Sequence, residues 1–297
     1  MRVFVTGASG FVGSAVVQEL LQAGHQVLGL VRSETAAAAL VKAGAEAYPG
    51  NLEDLNSLKN GAAQCDAVIH TAFNHDFSKY KENCENDRKV IMAIGEALIG
   101  TDRPLVITSG MGLLDYGKIA TEDVKAPSSA IIPRAASEEA ATALAEKGLK
   151  SYVVRLPPTV HGPGDHGFIA MVVKQARENG KSAYIGDGQN LWPAVHRLDA
   201  AQVYRLVVEQ QPVQGTFHAV AEQGIPFKDI ANTIGRGMDL ETLSLAGEAV
   251  EQHFGWFARF AGINCLASSE LTKKTLTWSP NHSGLLEDIS SGIYFNS

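Results

Sequence analysis

Three glycines spaced three residues apart stand directly after the first apolar segment, as Gly7, Gly10 and Gly13. Residues 2–6 are mostly β-branched or aromatic and a helical apolar spacing begins at Ser14, so the glycines lie in a turn from a strand into a helix. The first N–H groups of such a helix are unpaired and carry the positive end of its dipole, which suits a phosphate. Gly7 would permit the turn, Gly10 the approach of a diphosphate, and Gly13 close packing of helix on strand. The expected diphosphate contacts are Gly7, Ser9, Gly10, Phe11, Val12 and Gly13.

A basic residue follows the second predicted strand, Gln26–Val31. In dinucleotide-binding sheets this place often carries an acid that accepts a hydrogen bond from the 2′-hydroxyl of the adenosine ribose. Here it is Arg32, whose planar guanidinium can pair with a 2′-phosphate, with the hydroxyl of Ser33 assisting. The sequence therefore predicts a site for NADP(H) in preference to NAD(H), although NAD(H) could also bind.

Alternating strands and helices continue along the chain and predict an α/β fold, a doubly wound parallel sheet of the Rossmann type. Strands are expected near 2–6, 26–31, 45–48, 67–70, 105–108, 151–155 and 215–220. Helices are expected near 14–23, 35–43, 52–59, 80–99, 135–147 and 199–209. The continuous apolar character of the strands indicates a sheet that helices cover on both faces.

The composition changes after residue 156, where glycine, proline, histidine and tryptophan become more frequent and the elements shorter. The sequence therefore predicts a smaller, discontinuous C-terminal domain that binds the substrate, formed by 161–195 and 221–297. Residues 1–160 form the predicted NAD(P)-binding domain, to which a segment at about 196–220 returns.

Composition and charge narrow the functional classes. The 297-residue chain has a net charge of −7 and 45% hydrophobic residues, which fits one or two globular domains and argues against nucleic acid as a partner. No apolar run approaches the ~18 residues that span a bilayer, so no membrane association is expected. Cys65, Cys84 and Cys265 form no C-x-x-C pair, and no histidine–carboxylate pattern indicates a metal. A cytoplasmic protein without a metal is expected.

Four segments share a known pattern: T-G-x-x-G-x-x-G at 6–13, G-N-L at 50–52, D-A-V-I-H-T-A at 66–72 and V-R-L-P-P-T-V-H-G-P-G at 154–164. Together they resemble the short-chain dehydrogenase/reductase superfamily, in its extended or atypical NAD-dependent epimerase/dehydratase branch, over most of the chain. The resemblance implies further cofactor contacts: Asn51 and Leu52 beside the adenine, Thr71, Ala72 and Phe73 along the cofactor, and Pro158, Thr159 and Val160 near the nicotinamide.

The acid–base pair usual in that superfamily is missing. Its members normally use a tyrosine with a lysine four residues later, which lowers the tyrosine pKa so that the phenol exchanges a proton as hydride moves. None of the seven tyrosines has a lysine at that distance. In the corresponding segment Arg134 stands in the tyrosine's place and Glu138 in the lysine's. Arginine keeps its proton at any working pH, and a glutamate would raise the pKa of a neighbouring acid.

Other groups near the same strand ends could supply the proton. Ser109, after the strand near 105–108, could be a catalytic hydroxyl or only cap the strand beside the cofactor, since Gly110 takes the place where the superfamily often has a serine. Tyr116 lies in the next loop, and the resemblance puts His161 near the nicotinamide. The candidate catalytic residues are therefore Ser109, Arg134, Tyr116 and His161.

Histidine and aromatic residues in the less regular part of the chain predict a substrate pocket. By the same resemblance His166 and His196 border the nicotinamide, and Phe168 and Trp192 could wall a pocket for an apolar or aromatic carbonyl compound. Core packing between two domains is an alternative role for these aromatic residues. Three later aromatic residues are expected in the core: Trp256, Phe257 and Phe260.

Three functions stay open. The first is an NADP-dependent oxidoreductase of a small carbonyl or alcohol, in which Arg134 stabilises the developing alkoxide and a nonstandard group supplies the proton. The second is a noncatalytic NAD(P)-binding sensor or regulator, since the tyrosine and lysine are missing. The third is a sugar-nucleotide epimerase or dehydratase. A homodimer through the helices near 80–99 and 135–147 is compatible with the sequence.

Overall fold

The computed structural model describes residues 1–114, 118–213 and 215–295, and the candidate catalytic residue Tyr116 lies outside them. The described strands are β1 (Arg2–Thr6), β2 (Gln26–Val31), β3 (Glu46–Pro49), β4 (Ala67–His70), β5 (Leu105–Gly110), β6 (Ser151–Leu156), β7 (Thr159–His161), β8 (Ser182–Ile185), β9 (Leu191–His196), β10 (Thr216–His218), β11 (Glu222–Pro226) and β12 (Thr242–Leu245). The described α-helices are α1 (Phe11–Gln22), α2 (Glu34–Lys42), α3 (Leu55–Ala63), α4 (Tyr80–Glu96), α5 (Ala136–Glu146), α6 (Phe168–Asn179), α7 (Arg197–Gln210), α8 (Phe227–Met238), α9 (Glu248–Phe254), α10 (Ala258–Ala261), α11 (Glu270–Leu276) and α12 (Leu285–Ser290).

Within the described chain, seven parallel strands form the central sheet, in the order β10-β6-β5-β4-β1-β2-β3. The inner strands are largely buried because α1, α2 and α7 pack on one face and α3, α4 and α5 on the other. The strand order reverses at β1, so the carboxyl ends of β1 and β4 flank the crevice at which such sheets bind ligands. The predicted Rossmann-type, doubly wound α/β fold is confirmed.

Helix α7 lies parallel to α1, and β10 then pairs with β6 at the edge of the sheet. The guanidinium of Arg197 lies 5.1 Å from the centre of the Phe11 ring. About two turns further along both helices, Arg205 Nε donates to Glu19 Oε1 at 2.7 Å. Both helices therefore begin at the same edge of the sheet, where β1 ends.

A second hydrophobic core lies among the later elements. Strands β7, β9 and β11 form one small sheet, and β8 and β12 form another. Trp192, predicted as a pocket wall, is 0% exposed and its ring centre lies 4.9 Å from that of Phe227, so it takes the alternative role of core packing. Phe257 is buried as expected, but the expectation for Trp256 is wrong, because this side chain is 59% exposed.

Two helix boundaries differ from the sequence-based expectation for local reasons. Helix α1 begins at Phe11, directly after Gly10, so its first turn belongs to the glycine loop. Helix α3 begins only at Leu55, because the side chain of Asp54 accepts two backbone N–H groups and caps it there. Among the described helices, none combines the length and the apolar character needed to cross a membrane.

Replacing Trp192 by alanine should lower the free energy of unfolding by about 3–5 kcal/mol, because it leaves a void in a closed core. The matched control Trp256→Ala, at an exposed position, should cost less than about 1 kcal/mol. Urea denaturation followed by circular dichroism measures both values. Equal losses in the two variants would contradict the interior position of Trp192.

Candidate active site

The loop between β1 and α1 depends on its three glycines for different reasons. Gly7 has a φ of +70°, and a Cβ there would lie 2.7 Å from the amide nitrogen of Ala72. A Cβ on Gly13 would lie 2.0 Å from the carbonyl oxygen of Gly7. A Cβ on Gly10 would meet only that same oxygen, at 3.2 Å. Gly7 and Gly13 are therefore required by the loop itself, whereas Gly10 keeps its outer side open.

The open side of this loop presents the amino terminus of α1. Gly10 N–H donates to the carbonyl oxygen of Gly7 at 2.8 Å, and Ser14 N–H donates to Gly10 O at 2.9 Å. The N–H groups of residues 11–13 come before Ser14, the first residue whose N–H has a carbonyl acceptor in the helix, and are therefore available to bind an anion. Backbone donors, the helix dipole and the missing side chain together fit the diphosphate of a dinucleotide.

The positions predicted to hold the adenosine half follow β2 and β3, beside the glycine loop. Arg32 is exposed, and no ion pair holds it within the described ranges. Ser33 Oγ accepts from Ala36 N–H at 3.2 Å, which leaves the Ser33 hydroxyl proton to donate. Asn51 Oδ1 accepts two backbone N–H groups, at 2.8 and 3.0 Å, so its NH₂ group is its available donor. Leu52 packs against the core.

The positions predicted along the cofactor follow β4, and those predicted near the nicotinamide follow β6. Thr71 Oγ1 donates to the last carbonyl oxygen of β1 at 2.8 Å and thereby fixes the chain beside the glycine loop. Pro158 and Val160 are half-buried. Thr159 is buried and its hydroxyl donates to Pro193 O at 2.5 Å, so this hydroxyl is not available to a cofactor.

A chain of buried hydrogen bonds lies beneath the carboxyl edge of the sheet. Thr6 Oγ1 lies 2.6 Å from His70 Nδ1, and His70 Nε2 lies 2.9 Å from Asp87 Oδ1. Asp87 Oδ2 accepts from Arg134 Nη1 at 2.9 Å and from the hydroxyl of Ser137. Burial alone would raise the pKa of Asp87, but Arg134 and the hydrogen-bond donors outweigh it and hold the pKa below its ordinary value. Asp87 is therefore a buried, charged carboxylate that positions Arg134.

Arg134 is held in one orientation where β5 ends. Besides Asp87 and Ser137, it donates through Nη2 to Thr108 O at 2.9 Å, and its guanidinium carbon lies 4.3 Å from the centre of the Phe73 ring. These bonds use three of the five N–H groups of a guanidinium. The remaining two can stabilise a negatively charged oxygen, but an arginine cannot exchange the proton.

Glu138 does not act on a proton donor, contrary to the expectation from its spacing. Its carboxylate accepts from Arg155 Nε at 2.9 Å and from Nη2 at 2.7 Å, and both side chains are buried. Arg155 Nη1 lies 3.2 Å from Nε2 of His218, whose pKa burial lowers to about 4. The pair neutralises Glu138 and joins α5 to β6, so it is a structural contact.

Three further predicted site residues are enclosed. Ser109 is 2% exposed, and its Oγ has no hydrogen-bond partner in the described part of the chain. His161 is 0% exposed, and its Nδ1 lies 2.6 Å from Asp288 Oδ2. His196 is buried, and its Nδ1 accepts from Leu198 N–H at the start of α7. None of these three side chains is exposed in this arrangement, and their roles at the site stay predictions.

An aromatic cluster, not predicted as a unit, joins the loop after β4 to the second core. The centre of the Phe77 ring lies 5.4 Å from that of Trp256, 5.7 Å from Phe260 and 6.4 Å from Phe168. We call these four residues the aromatic bridge. Phe168, a predicted substrate contact, therefore does lie beside this edge. The signal for Phe77 was its position in the loop after β4, at the edge where parallel sheets hold their ligands.

Two exposed histidines lie on either side of the same edge. His166, predicted from the sequence, has its ring centre 5.9 Å from Phe11 of the glycine loop. His75, not predicted, has its ring centre 5.2 Å from Phe73, the ring beneath Arg134. In the described residues no group of three or more potential ligands could hold a metal ion.

Gly10→Ala should weaken NADPH binding by about tenfold or more, because the methyl group would stand where the diphosphate approaches. Its melting temperature should stay within about 2 °C of wild type. Gly13→Ala, by contrast, should cost about 1–3 kcal/mol of stability through its contact with Gly7. Fluorescence titration and thermal unfolding measure the two effects. A Gly10→Ala variant that binds NADPH normally would contradict this placement of the diphosphate.

Asp87→Asn should lower stability at neutral pH by about 3–5 kcal/mol, because the half-buried guanidinium of Arg134 would lose its buried counter-charge. The depressed folded-state pKa of Asp87 gives stability that is present above the unfolded pKa of about 3.9 and is lost as the pH falls through the folded pKa. The difference between wild type and variant in urea denaturation should therefore shrink as the pH is lowered from about 5 towards about 3. A constant difference would contradict a charged Asp87. Glu96→Gln, in an exposed pair with Lys59, is the control and should change stability little.

Comparisons with known proteins agree with this geometry. Residues 3–219 match the model of the NAD dependent epimerase/dehydratase family. An uncharacterized protein of Schizosaccharomyces pombe is 50% identical over 296 residues, 99% of this chain and 100% of that protein. The 2-alkyl-3-oxoalkanoate reductase of Stenotrophomonas maltophilia is 30% identical over 227 residues, 70% of this chain and 66% of the reductase.

Solved structures share the fold. The dTDP-glucose 4,6-dehydratase of Streptomyces venezuelae, solved with NAD bound, has a TM-score of 0.78 at 18% identity and covers 99% of this chain and 96% of its own. The UDP-glucose 4-epimerase of Thermotoga maritima has a TM-score of 0.77 at 18% identity, covering 99% and 98%. The family supports a nicotinamide dinucleotide site and a function of the NAD(P)-dependent oxidoreductase or epimerase type. The predicted resemblance is confirmed: the chain belongs to the NAD-dependent epimerase/dehydratase family of the short-chain dehydrogenase/reductase superfamily.

Proposed function

We propose that this protein is an NADP(H)-dependent oxidoreductase that interconverts a small carbonyl compound and its alcohol. The observation that carries the proposal is the setting of Arg134, a permanent positive charge immobilised by Asp87 and Thr108, with two N–H groups that bond to no described residue. A fixed charge of this kind stabilises a developing alkoxide without reorganising during the reaction. It would take over the hydrogen bond that the missing tyrosine gives, although the proton must come from another group.

The cofactor supplies hydride chemistry, and this chain's residues would bind and orient it. The glycine loop would hold the diphosphate, and Arg32, exposed and in no ion pair with a described residue, would hold the 2′-phosphate that distinguishes NADP from NAD. Ser33 can add its hydroxyl proton to the same phosphate. A 2′-hydroxyl offers Arg32 no charge to pair with, so NADP(H) is the preferred cofactor.

The proposed substrate is a small apolar or aromatic carbonyl compound. The aromatic bridge supports this, because its rings offer flat apolar surface and its Phe77 ring lies 6.3 Å from that of His75, which in turn lies 5.2 Å from Phe73. One relative, which matches 70% of this chain, is named a 2-alkyl-3-oxoalkanoate reductase, and that name describes a ketone that bears an alkyl group. Sugar-nucleotide chemistry is less favoured, because the missing tyrosine usually takes part in it.

A noncatalytic NADP(H) sensor is the second candidate, favoured by the loss of the tyrosine–lysine pair and by the enclosed Ser109 hydroxyl. A panel of apolar and aromatic ketones and aldehydes separates the two functions. The oxidoreductase should oxidise NADPH with at least one of them, followed by the loss of NADPH absorbance. A protein that binds NADPH tightly and oxidises none of it would favour the sensor.

Arg32→Asp should lower the affinity for NADPH by roughly 10- to 100-fold, because a charge-assisted pair becomes a repulsion. The affinity for NADH should change much less, since NADH lacks the 2′-phosphate. The control Lys42→Asp makes the same charge change at the other end of α2 and should leave both affinities near wild type. Calorimetric titration with each cofactor measures these values. An unchanged ratio of the two affinities in Arg32→Asp would remove Arg32 from cofactor selection.

A further inference from the structure

The proton that Arg134 cannot supply needs a titratable group that reaches the carboxyl edge. In the described ranges, Tyr204 is buried and bonded to Thr108, and His70 is buried between Thr6 and Asp87. Ser109, His161 and His196 are enclosed as well. Burial raises the pKa of Tyr80 to about 12, so this phenol does not ionise near neutral pH. Of the exposed imidazoles at this edge in the described part of the chain, His282 is tied to the buried carboxylate of Asp199, its Nδ1 2.7 Å from Oδ1, which leaves His75 and His166.

The geometry distinguishes these two histidines. His75 lies in the loop that follows β4, three residues after Ala72, whose amide nitrogen abuts Gly7 of the cofactor loop. The centre of its ring lies 5.2 Å from the centre of the Phe73 ring. The guanidinium carbon of Arg134 lies 4.3 Å from the centre of that same Phe73 ring. His75 is thus one ring away from the fixed positive charge. His166 instead packs on Phe11, at the place where the diphosphate is expected.

We propose, on the basis of the proposed oxidoreductase function, that His75 is the acid–base catalytic residue of this site. In alcohol oxidation its neutral imidazole takes the hydroxyl proton while the carbon loses a hydride to the oxidised nicotinamide. The O–H and C–H bonds break, the C=O bond forms, and two electrons leave with the hydride. Carbonyl reduction reverses each step, with the imidazolium as proton donor and Arg134 stabilising the negative oxygen. Because His75 is exposed, its proton equilibrates with water.

The charges around His75 determine which form dominates. Partial loss of hydration beside the neighbouring rings lowers the pKa of His75, the positive charges of Arg134 and His166 lower it further, and Asp87 opposes them from beneath the edge. The imidazole is therefore mainly neutral at pH 7, which is the form that accepts a proton. Oxidation should be active at neutral pH and should fall as the pH drops through the pKa of His75, whereas reduction should increase.

His75→Gln tests this role without adding a charge. With a substrate found in the carbonyl panel and its alcohol, kcat should fall about 100-fold or more in both directions. The dissociation constant for NADPH, from fluorescence titration, should stay within about twofold, because no cofactor contact is removed. The pH dependence of kcat near and below the ordinary histidine pKa of about 6.5 should disappear in the variant. His166→Gln should keep that pH dependence but move it to higher pH, because one of the positive charges that lower the pKa of His75 is removed.

Chemical rescue separates catalysis from a structural role. Added imidazole should restore part of the activity of His75→Ala in proportion to its concentration and should not stimulate the wild type. An active wild type whose kcat and pH profile are unchanged in His75→Gln would overturn the proposal and leave the oxidoreductase function standing. Loss of the pH dependence in His166→Gln alone would also overturn it. A wild type that turns over no carbonyl or alcohol would overturn both proposals.

Discussion

The buried negative charge of Asp87 is the constraint on which the catalytic edge depends. An isolated carboxylate in a protein interior is strongly unfavourable, so Asp87 requires Arg134 and its hydrogen-bond donors at the same time. Its partners come from β4, from the turn that precedes α5 and from the first turn of α5, while the carboxylate itself comes from α4. These elements must therefore reach their final positions together. The same requirement leaves the guanidinium no alternative orientation, which gives the edge a rigid positive charge.

Much of the scaffold could be predicted from the sequence. The strands β1, β2 and β4 were predicted with the bounds that the structure has, because continuous apolar segments between glycines and polar turns have few other interpretations. The glycine loop could also be predicted from its spacing. The structure gives the steric reason for two of the glycines, because a Cβ on Gly7 or Gly13 would collide with nearby backbone atoms. The start of α3 could not be predicted as well. It was expected near residue 52, but the capping carboxylate of Asp54 makes the helix begin three residues later, at Leu55.

The partners of the site residues could not be predicted, since they are distant in the chain. Arg134 was singled out, but Asp87, which holds it, lies 47 residues away in a predicted helix whose many polar residues do not show which of them is buried. Trp192 and Trp256 show the related difficulty that residue type does not reveal which face of an element is covered. His75 stands in a polar run without periodicity, so only the topology of the sheet shows that its loop borders the site.

The parallel pairing of α1 with α7 has a consequence for the speed of ligand association. A protein of net charge −7 repels an anionic dinucleotide at long range, but two helix amino termini side by side, together with Arg197, create a local field of the opposite sign. The two effects differ in reach, because salt screens charges beyond about 10 Å at 0.1 M ionic strength. Raising the salt concentration should weaken the distant repulsion before it weakens the local attraction. Moderate ionic strength thus favours the encounter step, and only higher salt slows it.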